Sequence, residues 1–316
     1  MPEKIFSVNL DVNEKAFFGR QLEYIKARSY DIQYPELKAT SLIPVSGEAG
    51  PGAQVITYQQ FDTVGIMKVI ANYADDLPRA DIKGKEFSTP VRSLGGSFGY
   101  NVQEIRSAQM AGLPLQQRKA NACRRAYEMK VDNIAWNARE NDGANGGLRG
   151  LLQNPNVTSG AATTGDWANA ARTSLEIYDD IANAVNAMIE LTKGVEVPDT
   201  LLLPIAQYGI AAKKRMDTGT DTTVLEYFKR NFPMITKVDW VAKLKDVTPR
   251  PSTGAGSSDC GVLYKRSPDK LTLEIPQAYE QFPAQERNLE FVIPAHGRCG
   301  GVIIYYPLSV SIIEEL

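Results

Sequence analysis

The chain has 316 residues, with 35 lysines and arginines against 37 aspartates and glutamates, which gives a net charge of −2. This length is enough to bury one large core or two lobes, and the charge balance argues against a dedicated nucleic-acid-binding protein, which would carry a basic excess. Three scattered cysteines, Cys123, Cys260 and Cys299, exclude a disulfide framework and favour folding in a reducing cytoplasm.

The first residues carry no secretory signal. Met1 is followed by Pro2, Glu3 and Lys4 without an apolar stretch, and the chain has no run of about 18 apolar residues that could span a membrane. The sequence therefore predicts a chain that is made in the cytoplasm, is not processed and does not enter a membrane.

Residues 1–50 are predicted to form an arm and not a closed core. A short helix is expected over residues 14–26, and the stretch after it is extended and interrupted by prolines. The apolar residues Phe17, Phe18 and Leu22 cannot bury themselves on so short an arm, so they need a partner surface, which another subunit could supply.

Residues 53–102 are predicted to form a long hairpin with a polar tip. The first strand begins at 54–58 and continues over 64–71, and the segment 75–81 contains too many turn-forming residues for a strand interior. Residues 91–100 are expected to return as the second strand. A hairpin of this length is marginally stable alone and is expected to lie on another surface.

The strongest helix is predicted to begin at Pro114 and to run about seven turns to a glycine-rich connector at 143–147. Apolar residues spaced three and four apart form one face, which contains Cys123, Tyr127, Val131, Ile134 and Ala138. Four basic residues form another face, namely Arg118, Lys119, Arg124 and Arg125. That face is open to three interpretations: a solvated surface, ion pairs between subunits, or weak and salt-sensitive contact with DNA.

A second helix has clear signals at both ends. Thr173 and Glu176 form a capping box, and Gly194 ends the helix. A short buried strand is expected at 199–204, and residues 214–260 are expected to be rich in loops. Further strands are expected near the C-terminus, at 271–275, 289–295 and 302–313.

No arrangement of residues predicts catalysis, a metal site or a cofactor. The only histidine, His296, lies in a segment predicted to be a turn between two strands, which favours a structural role over membership of a catalytic triad. One histidine and three scattered cysteines do not supply a zinc site. Gly84-Lys85 is followed by Glu86 and fails the phosphate-loop pattern, and the glycines of 143–150 indicate a flexible connector.

The order of these features resembles the Hong Kong 97-type capsid fold, an α+β architecture with an N-terminal arm, an extended loop that is a long β-hairpin, a peripheral domain with a long spine helix, and an axial domain. Local motifs are similar to those of a phage major capsid family related to the linocin and encapsulin group. These motifs are Tyr34–Leu37, Tyr73–Asp81, Ser97–Tyr100, Gly150–Val157, Pro198–Pro204 and Gln285–Phe291.

The resemblance implies a division into four parts: the arm at 1–50, the extended loop at 51–102, the peripheral domain at 103–142 together with 271–316, and the axial domain at 143–270. It also implies contacts between subunits. At the tip of the extended loop the implied contact residues are Asp75, Asp76, Arg79, Asp81, Lys83, Lys85 and Glu86. On the arm they are Phe17, Phe18, Leu22 and Tyr34.

The function implied by the resemblance is that of a major capsid protein and not an enzyme. Pentamers and hexamers of such a protein assemble into the icosahedral head shell of a tailed bacteriophage around double-stranded DNA, with which contact is weak. A portal protein and scaffolding or decoration proteins are the other implied partners. The location is the virion, after assembly in the host cytoplasm. The segment before the loop is too short for a built-in scaffold, so a separate scaffold or unaided assembly is expected.

Three alternatives stay open. The first is an encapsulin-like compartment, which uses the same architecture to hold cargo enzymes. The second is a hydrolase or nucleotide-binding enzyme with unrecognised motifs, which the scarcity of histidine and cysteine disfavours. The third is a phage decoration or tail protein.

Overall fold

The computed structural model describes most of the chain from Tyr34 onwards. The described residues are 34–65, 67–68, 79–111, 115–141, 143–163, 165–217, 219–248, 251–252 and 256–316. The chain divides into two compact units, 1–36 and 37–316. Of the first unit only residues 34–36 are described, and they are exposed and irregular. The helix predicted over 14–26 lies outside the described residues. All the elements below belong to the second unit.

The folded body begins earlier than the sequence predicted. A single helical turn, α1 (Ala39–Leu42), leads into a two-residue strand, β1 (Val45–Ser46). Leu42 and Ile43 are completely buried, and β1 pairs in parallel with a later strand. Part of the segment expected to form an arm over 1–50 is therefore built into the body, because its apolar side chains find partners within the same chain.

A long antiparallel hairpin follows, and its second strand is not the predicted one. Strand β2 (Val55–Val64) pairs with β3 (Asp81–Pro90) in an unbroken register from Val55 opposite Pro90 to Val64 opposite Asp81. The prediction that residues 91–100 return along the first strand is wrong. Those residues form a separate strand that leaves the hairpin and enters another sheet.

That separate strand, β4 (Arg92–Asn101), pairs over its whole length with a strand from the C-terminal part of the chain, β12 (Glu290–Cys299). The opposite edge of β12 carries two shorter strands, β10 (Gln277–Gln281) and β11 (Gln285–Arg287). The glycines of β4 therefore line a ten-residue ladder whose partner is distant in sequence.

The spine helix is present and ends earlier than predicted. After α2 (Val102–Ala111), the spine helix α3 runs from Leu115 to Asn137, while Pro114 lies outside the described residues. The chain then turns back along the last helical turn, because the N–H groups of residues 150–152 donate to the carbonyls of residues 138, 135 and 136. A Cβ on Gly150 would lie 2.7–2.8 Å from three backbone atoms, so only glycine fits there.

The segment after the spine helix is not the flexible connector that its glycines suggested. It contains one 3-10 turn, Gly143–Asn145, and two glycines with positive φ, and then enters the core. Its apolar residues Leu148, Leu151 and Leu152 are completely buried. The glycines thus serve a tight turn against the helix end, and the leucines hold that turn in place.

A five-stranded sheet has three buried inner strands and lies between two cores. Its strand order is β5 (Thr158–Ala161), β14 (Val310–Glu314), β8 (Cys260–Tyr264), β6 (Thr200–Leu203) and β7 (Lys237–Trp240). The predicted buried strand near 199–204 is therefore confirmed. Strand β14 pairs with β5 and β8. The resemblance assigned residues 271–316 to the peripheral domain, but this last strand belongs to a sheet whose other strands all come from residues 143–270.

Alternate side chains of this sheet enter two different cores. In β6, Leu202 faces a core shared with the spine helix, while Leu201 and Leu203 face the other core. The first core also contains a three-stranded sheet in which β9 (Leu271–Glu274) pairs with β1 and with β13 (Gly301–Ile304). Since neighbouring residues on a strand point to opposite faces, one sheet supports both layers.

Three helices cover the second face of the sheet. The first, α4 (Ser174–Leu191), has the predicted capping box between Thr173 and Glu176, and Gly194 follows it at φ 82°. The other two, α5 (Ile205–Lys213) and α6 (Val224–Asn231), were not predicted. The expectation that 214–260 is mostly loop is wrong over α6 and β7.

Candidate functional site

Most residues of the hairpin are exposed. Among the residues that the structure describes, β2 and β3 pair only with each other, and no third strand lies against them. From Asp81 to Glu86 every residue of β3 is exposed. Two strands of ten residues cannot bury an apolar face by themselves, so the hairpin stays largely exposed within the described residues.

The two faces of the hairpin differ in chemistry. Residues directly opposite each other in an antiparallel pair point to the same face. One face places Lys83 opposite Asp62 and Lys85 opposite Gln60. The other face carries Phe61 and Ile82, which are diagonal neighbours, and each is 65% exposed. An apolar patch and a charged patch therefore lie back to back.

An aromatic cluster holds the hairpin to the body at its root. The ring of Tyr58 stacks on Phe87 with 5.2 Å between centroids and meets Tyr305 edge-on at 5.0 Å. The Tyr305 hydroxyl lies 3.0 Å from the hydroxyl of Thr272, which also donates to Glu274 at 2.7 Å. Burial raises the pKa of Tyr58 and of Tyr305, so both phenols stay protonated at neutral pH.

A groove of about 1030 Å³ runs beside this root. Its walls are Tyr58–Phe61 of β2 on one side and residues 45–48 with Tyr305 and Tyr306 on the other. Because β2 has no strand on its outer edge within the described residues, the groove is bordered by backbone groups that can accept an additional chain.

The residues predicted at the hairpin tip fall in two places. Asp75 and Asp76 lie outside the described residues. Arg79 is exposed just before β3, while the other four predicted residues are strand residues of β3 and not part of the turn, namely Asp81, Lys83, Lys85 and Glu86. The sequence placed them at the tip because it assigned the second strand ten residues too late.

Among the predicted basic residues of the spine helix, Lys119 and Arg124 have close acidic partners in the same chain. The Lys119 ammonium donates to Glu104 at 2.7 Å and to the Gly99 carbonyl at 2.8 Å, and Arg124 pairs with Glu128 at 2.9 Å. The hydrogen bond from Lys119 lowers the pKa of Glu104. Arg118 is exposed and Arg125 is half-buried.

The apolar face of the spine helix lies as predicted. Val131, Ile134 and Ala138 are buried, and Cys123 and Tyr127 are half-buried at the exposed end of the same stripe. Burial raises the pKa of Tyr127 to about 12. Of the predicted contact residues on the arm, Tyr34 is 57% exposed, and Phe17, Phe18 and Leu22 lie outside the described residues.

His296 does not lie in a turn, contrary to the prediction. It is a half-buried residue in the interior of β12, opposite Gly95 on one side and Glu280 on the other. Across the described part of the chain, no group of three or more histidine, cysteine, aspartate or glutamate side chains is arranged to hold a metal ion. In the same part, no helix is both long and apolar enough to cross a membrane.

Comparisons with known proteins identify the group to which this geometry is related. A family model described as "Major capsid protein" matches residues 65–315. The capsid of Myoviridae phage XM1 is 20% identical with a TM-score of 0.79, covering 94% of this chain and 98% of that chain. A chain of Gordonia phage Cozz is 10% identical with a TM-score of 0.63, covering 99% and 98%.

A virus-like particle from Pyrococcus furiosus is 13% identical with a TM-score of 0.51, covering 87% of this chain and 91% of that chain. A search of curated proteins found no match. At identities this low the structural matches establish the fold, and the family match rests on the sequence.

Proposed function

The chain belongs to the major capsid protein family and has the Hong Kong 97-like capsid fold, and from this we propose that it builds the icosahedral head shell of a tailed bacteriophage around double-stranded DNA. The observation that carries the proposal is the family match over residues 65–315. It is supported by the structural similarity to the capsid of Myoviridae phage XM1. The virion is then the location of the protein, after assembly in the host cytoplasm.

In this proposal the subunits form pentamers and hexamers. One surface of each subunit binds a different surface of the next, this contact repeats around the ring until the ring closes, and rings joined by flexible segments close into a shell. Each contact can be weak, because many act together. Function then lies in exposed segments and not in a catalytic pocket, so no enzymatic activity is assigned.

The exposed hairpin is the first proposed contact surface. Phe61 and Ile82 supply an apolar patch, and Asp81, Lys83 and Lys85 supply charges that can pair with a neighbouring copy. The proposed interface therefore contains an apolar contact in addition to the predicted ion pairs, and the sequence alone did not indicate this apolar contact. Asp75, Asp76 and Arg79 stay proposed contacts on the strength of the resemblance.

The arm is the second proposed contact surface, through Phe17, Phe18, Leu22 and Tyr34. Deleting residues 1–30 is expected to leave a folded subunit that does not form closed shells. The basic residues Arg118, Lys119, Arg124 and Arg125 stay proposed contacts with DNA or with other subunits. With Lys119 and Arg124 already paired within the chain, contact with DNA is expected to be weak.

Other partners are proposed from the family alone: a portal protein, and scaffolding or decoration proteins. An encapsulin-like compartment is a second candidate function, favoured by the match to the virus-like particle from Pyrococcus furiosus. The two candidates differ in the contents of the particle. Nuclease-resistant DNA inside particles made in infected cells would support the phage head, and a co-purifying cargo enzyme would support the compartment.

The first experiment is negative-stain electron microscopy of the purified full-length chain, with and without any scaffold encoded beside it. Closed icosahedral particles are the expected result. A monomer or small oligomer under every condition would refute the proposal.

A second experiment tests the hairpin surface. Phe61→Asp is expected to abolish closed particles without changing the melting temperature of the unassembled subunit, because Phe61 is mostly exposed. Phe61→Tyr, which keeps the ring, is the matched control and is expected to assemble. Normal particles from Phe61→Asp would remove the apolar patch from the proposal.

A further inference from the structure

The single-turn helix α1 is held at both ends by side chains from distant parts of the chain. At its start, the N–H of Ala39 donates to the buried carboxylate of Asp132 on the spine helix, at 3.0 Å. At its end, the carbonyl of Leu42 accepts from the Tyr264 hydroxyl at 2.9 Å and from the Arg266 guanidinium at 3.0 Å. These contacts satisfy backbone groups that so short a helix cannot satisfy itself.

Lys38, directly before α1, contacts two residues of β7. Its ammonium lies 2.8 Å from the Asp239 carboxylate, 2.9 Å from the Trp240 carbonyl and 3.6 Å from the centroid of the Trp240 ring. The lysine side chain is only 11% exposed. A lysine this buried is rare unless its charge is paired, as it is here.

The ionisation of Asp239 fits that pairing. Burial acts to raise its pKa, but the hydrogen bond from Lys38 and the N–H of Trp240 outweigh burial, and the pKa of Asp239 is lowered. The carboxylate is therefore ionised at neutral pH, where it pairs with the Lys38 side chain.

These contacts lie at the start of the second compact unit, which begins at residue 37. The first unit ends at Glu36, and Lys38 lies two residues later. The side chains that hold residues 38–42 come from the spine helix, from the end of β7 and from residues 264–266. Complete burial of Leu42 and Ile43 already anchors residues 38–43 in the body, and the polar contacts add to this anchoring.

We propose that Lys38, Asp132, Asp239 and Arg266 form a root clamp, whose role is to position the N-terminal segment for assembly. The clamp fixes the site from which residues 1–36 depart, so that every copy presents this segment to its neighbours from the same place. A segment that must reach a neighbour binds more tightly when its attachment is fixed, because less freedom is lost on binding. This inference rests on the proposed function in assembly.

The test uses Lys38→Met in the full-length chain, with a matched control elsewhere in the body. Lys270 forms a similar pair with Glu196 at 2.5 Å, and its ammonium lies 4.2 Å from the ring centroid of Tyr306. Lys38→Met is expected to lower the yield of closed shells at least tenfold, while Lys270→Met lowers it less than twofold. Both variants are expected to melt within a few degrees of each other as unassembled subunits.

Lys38→Arg keeps the charge and is expected to restore most of the yield. The equal melting temperatures of the two methionine variants separate a positioning role from a loss of stability. Normal shells from Lys38→Met, or equal losses in both methionine variants, would overturn the clamp. Absence of shells from the unaltered chain would instead count against the proposed function, so the two failures are distinguishable.

Discussion

Replacing Tyr58 by alanine is expected to loosen the root of the hairpin while the rest of the subunit stays folded. The Tyr58 ring contacts Phe87 and Tyr305 at centroid distances of 5.2 Å and 5.0 Å. Each such aromatic pair contributes about 0.5–1.5 kcal/mol beyond burial, so loss of both pairs costs at least about 1–3 kcal/mol, to which the lost burial of the ring adds. Because the hairpin has no other strand partner among the described residues, this cost falls on its local opening.

The assay is hydrogen exchange of the unassembled subunit, followed by mass spectrometry on peptides from β2 and β3. A loss of 1–3 kcal/mol corresponds to exchange that is about 5- to 150-fold faster. Peptides from α4 serve as the internal reference and are expected to be unchanged. Phe61→Ala is the matched control, because Phe61 is a mostly exposed aromatic residue of the same strand. Unchanged exchange in β2, or equal acceleration in α4, would refute the reasoning.

Three further predictions concern the body of the subunit. Gly297→Ala would place a Cβ 2.5–2.7 Å from the ring of Tyr127 and is expected to lower the free energy of unfolding by about 1–3 kcal/mol in urea titrations, whereas Gly95→Ala, whose Cβ has 3.9 Å of room, should cost much less. Thr223→Ala removes the hydroxyl that caps α6 and is expected to cost about 1 kcal/mol in the same assay, a loss that Thr223→Ser should largely avoid. Burial raises the pKa of Asp132 in the folded protein. At pH values between the usual pKa of an aspartate and this raised pKa, the native state holds a proton that the unfolded chain has released. The free energy of unfolding is therefore expected to fall as pH rises through that range. Asp132→Asn keeps an acceptor for the start of α1, and melting curves from acid to neutral pH are expected to lack this fall; an unchanged pH dependence would contradict it.

Features encoded by neighbouring residues were predictable from the sequence. The capping box of Thr173 and Glu176 and the apolar stripe of the spine helix lie where the spacing placed them. A second capping box, formed by Thr223 and Glu226, begins α6. It lies in a segment whose other residues suggest loops, so the sequence analysis does not predict this helix. Reading each Thr-x-x-Glu pattern by itself would have found that helix.

Features that depend on distant partners were not predictable in the same way. Residues 91–100 have the composition of a return strand, but they pair with β12, which lies about 190 residues later in the chain. His296 lies between Pro294 and Gly297, which suggests a turn, yet the strand continues because β12 pairs with β4 at all ten of its positions. Local sequence cannot specify which of several strands supplies such a partner.

The position of the five-stranded sheet separates the parts of the chain that determine stability from those proposed for assembly. Its alternating side chains are shared between two cores, so Leu202 and Leu263 contribute to opposite layers of one element. The hairpin beyond its aromatic root contributes to neither core. Substitutions in the sheet are therefore expected to lower stability, because they open cavities in the core. Replacing a buried leucine by alanine typically costs roughly 2–5 kcal/mol. Substitutions at exposed hairpin positions are expected to change assembly and to leave the stability of the unassembled subunit unchanged.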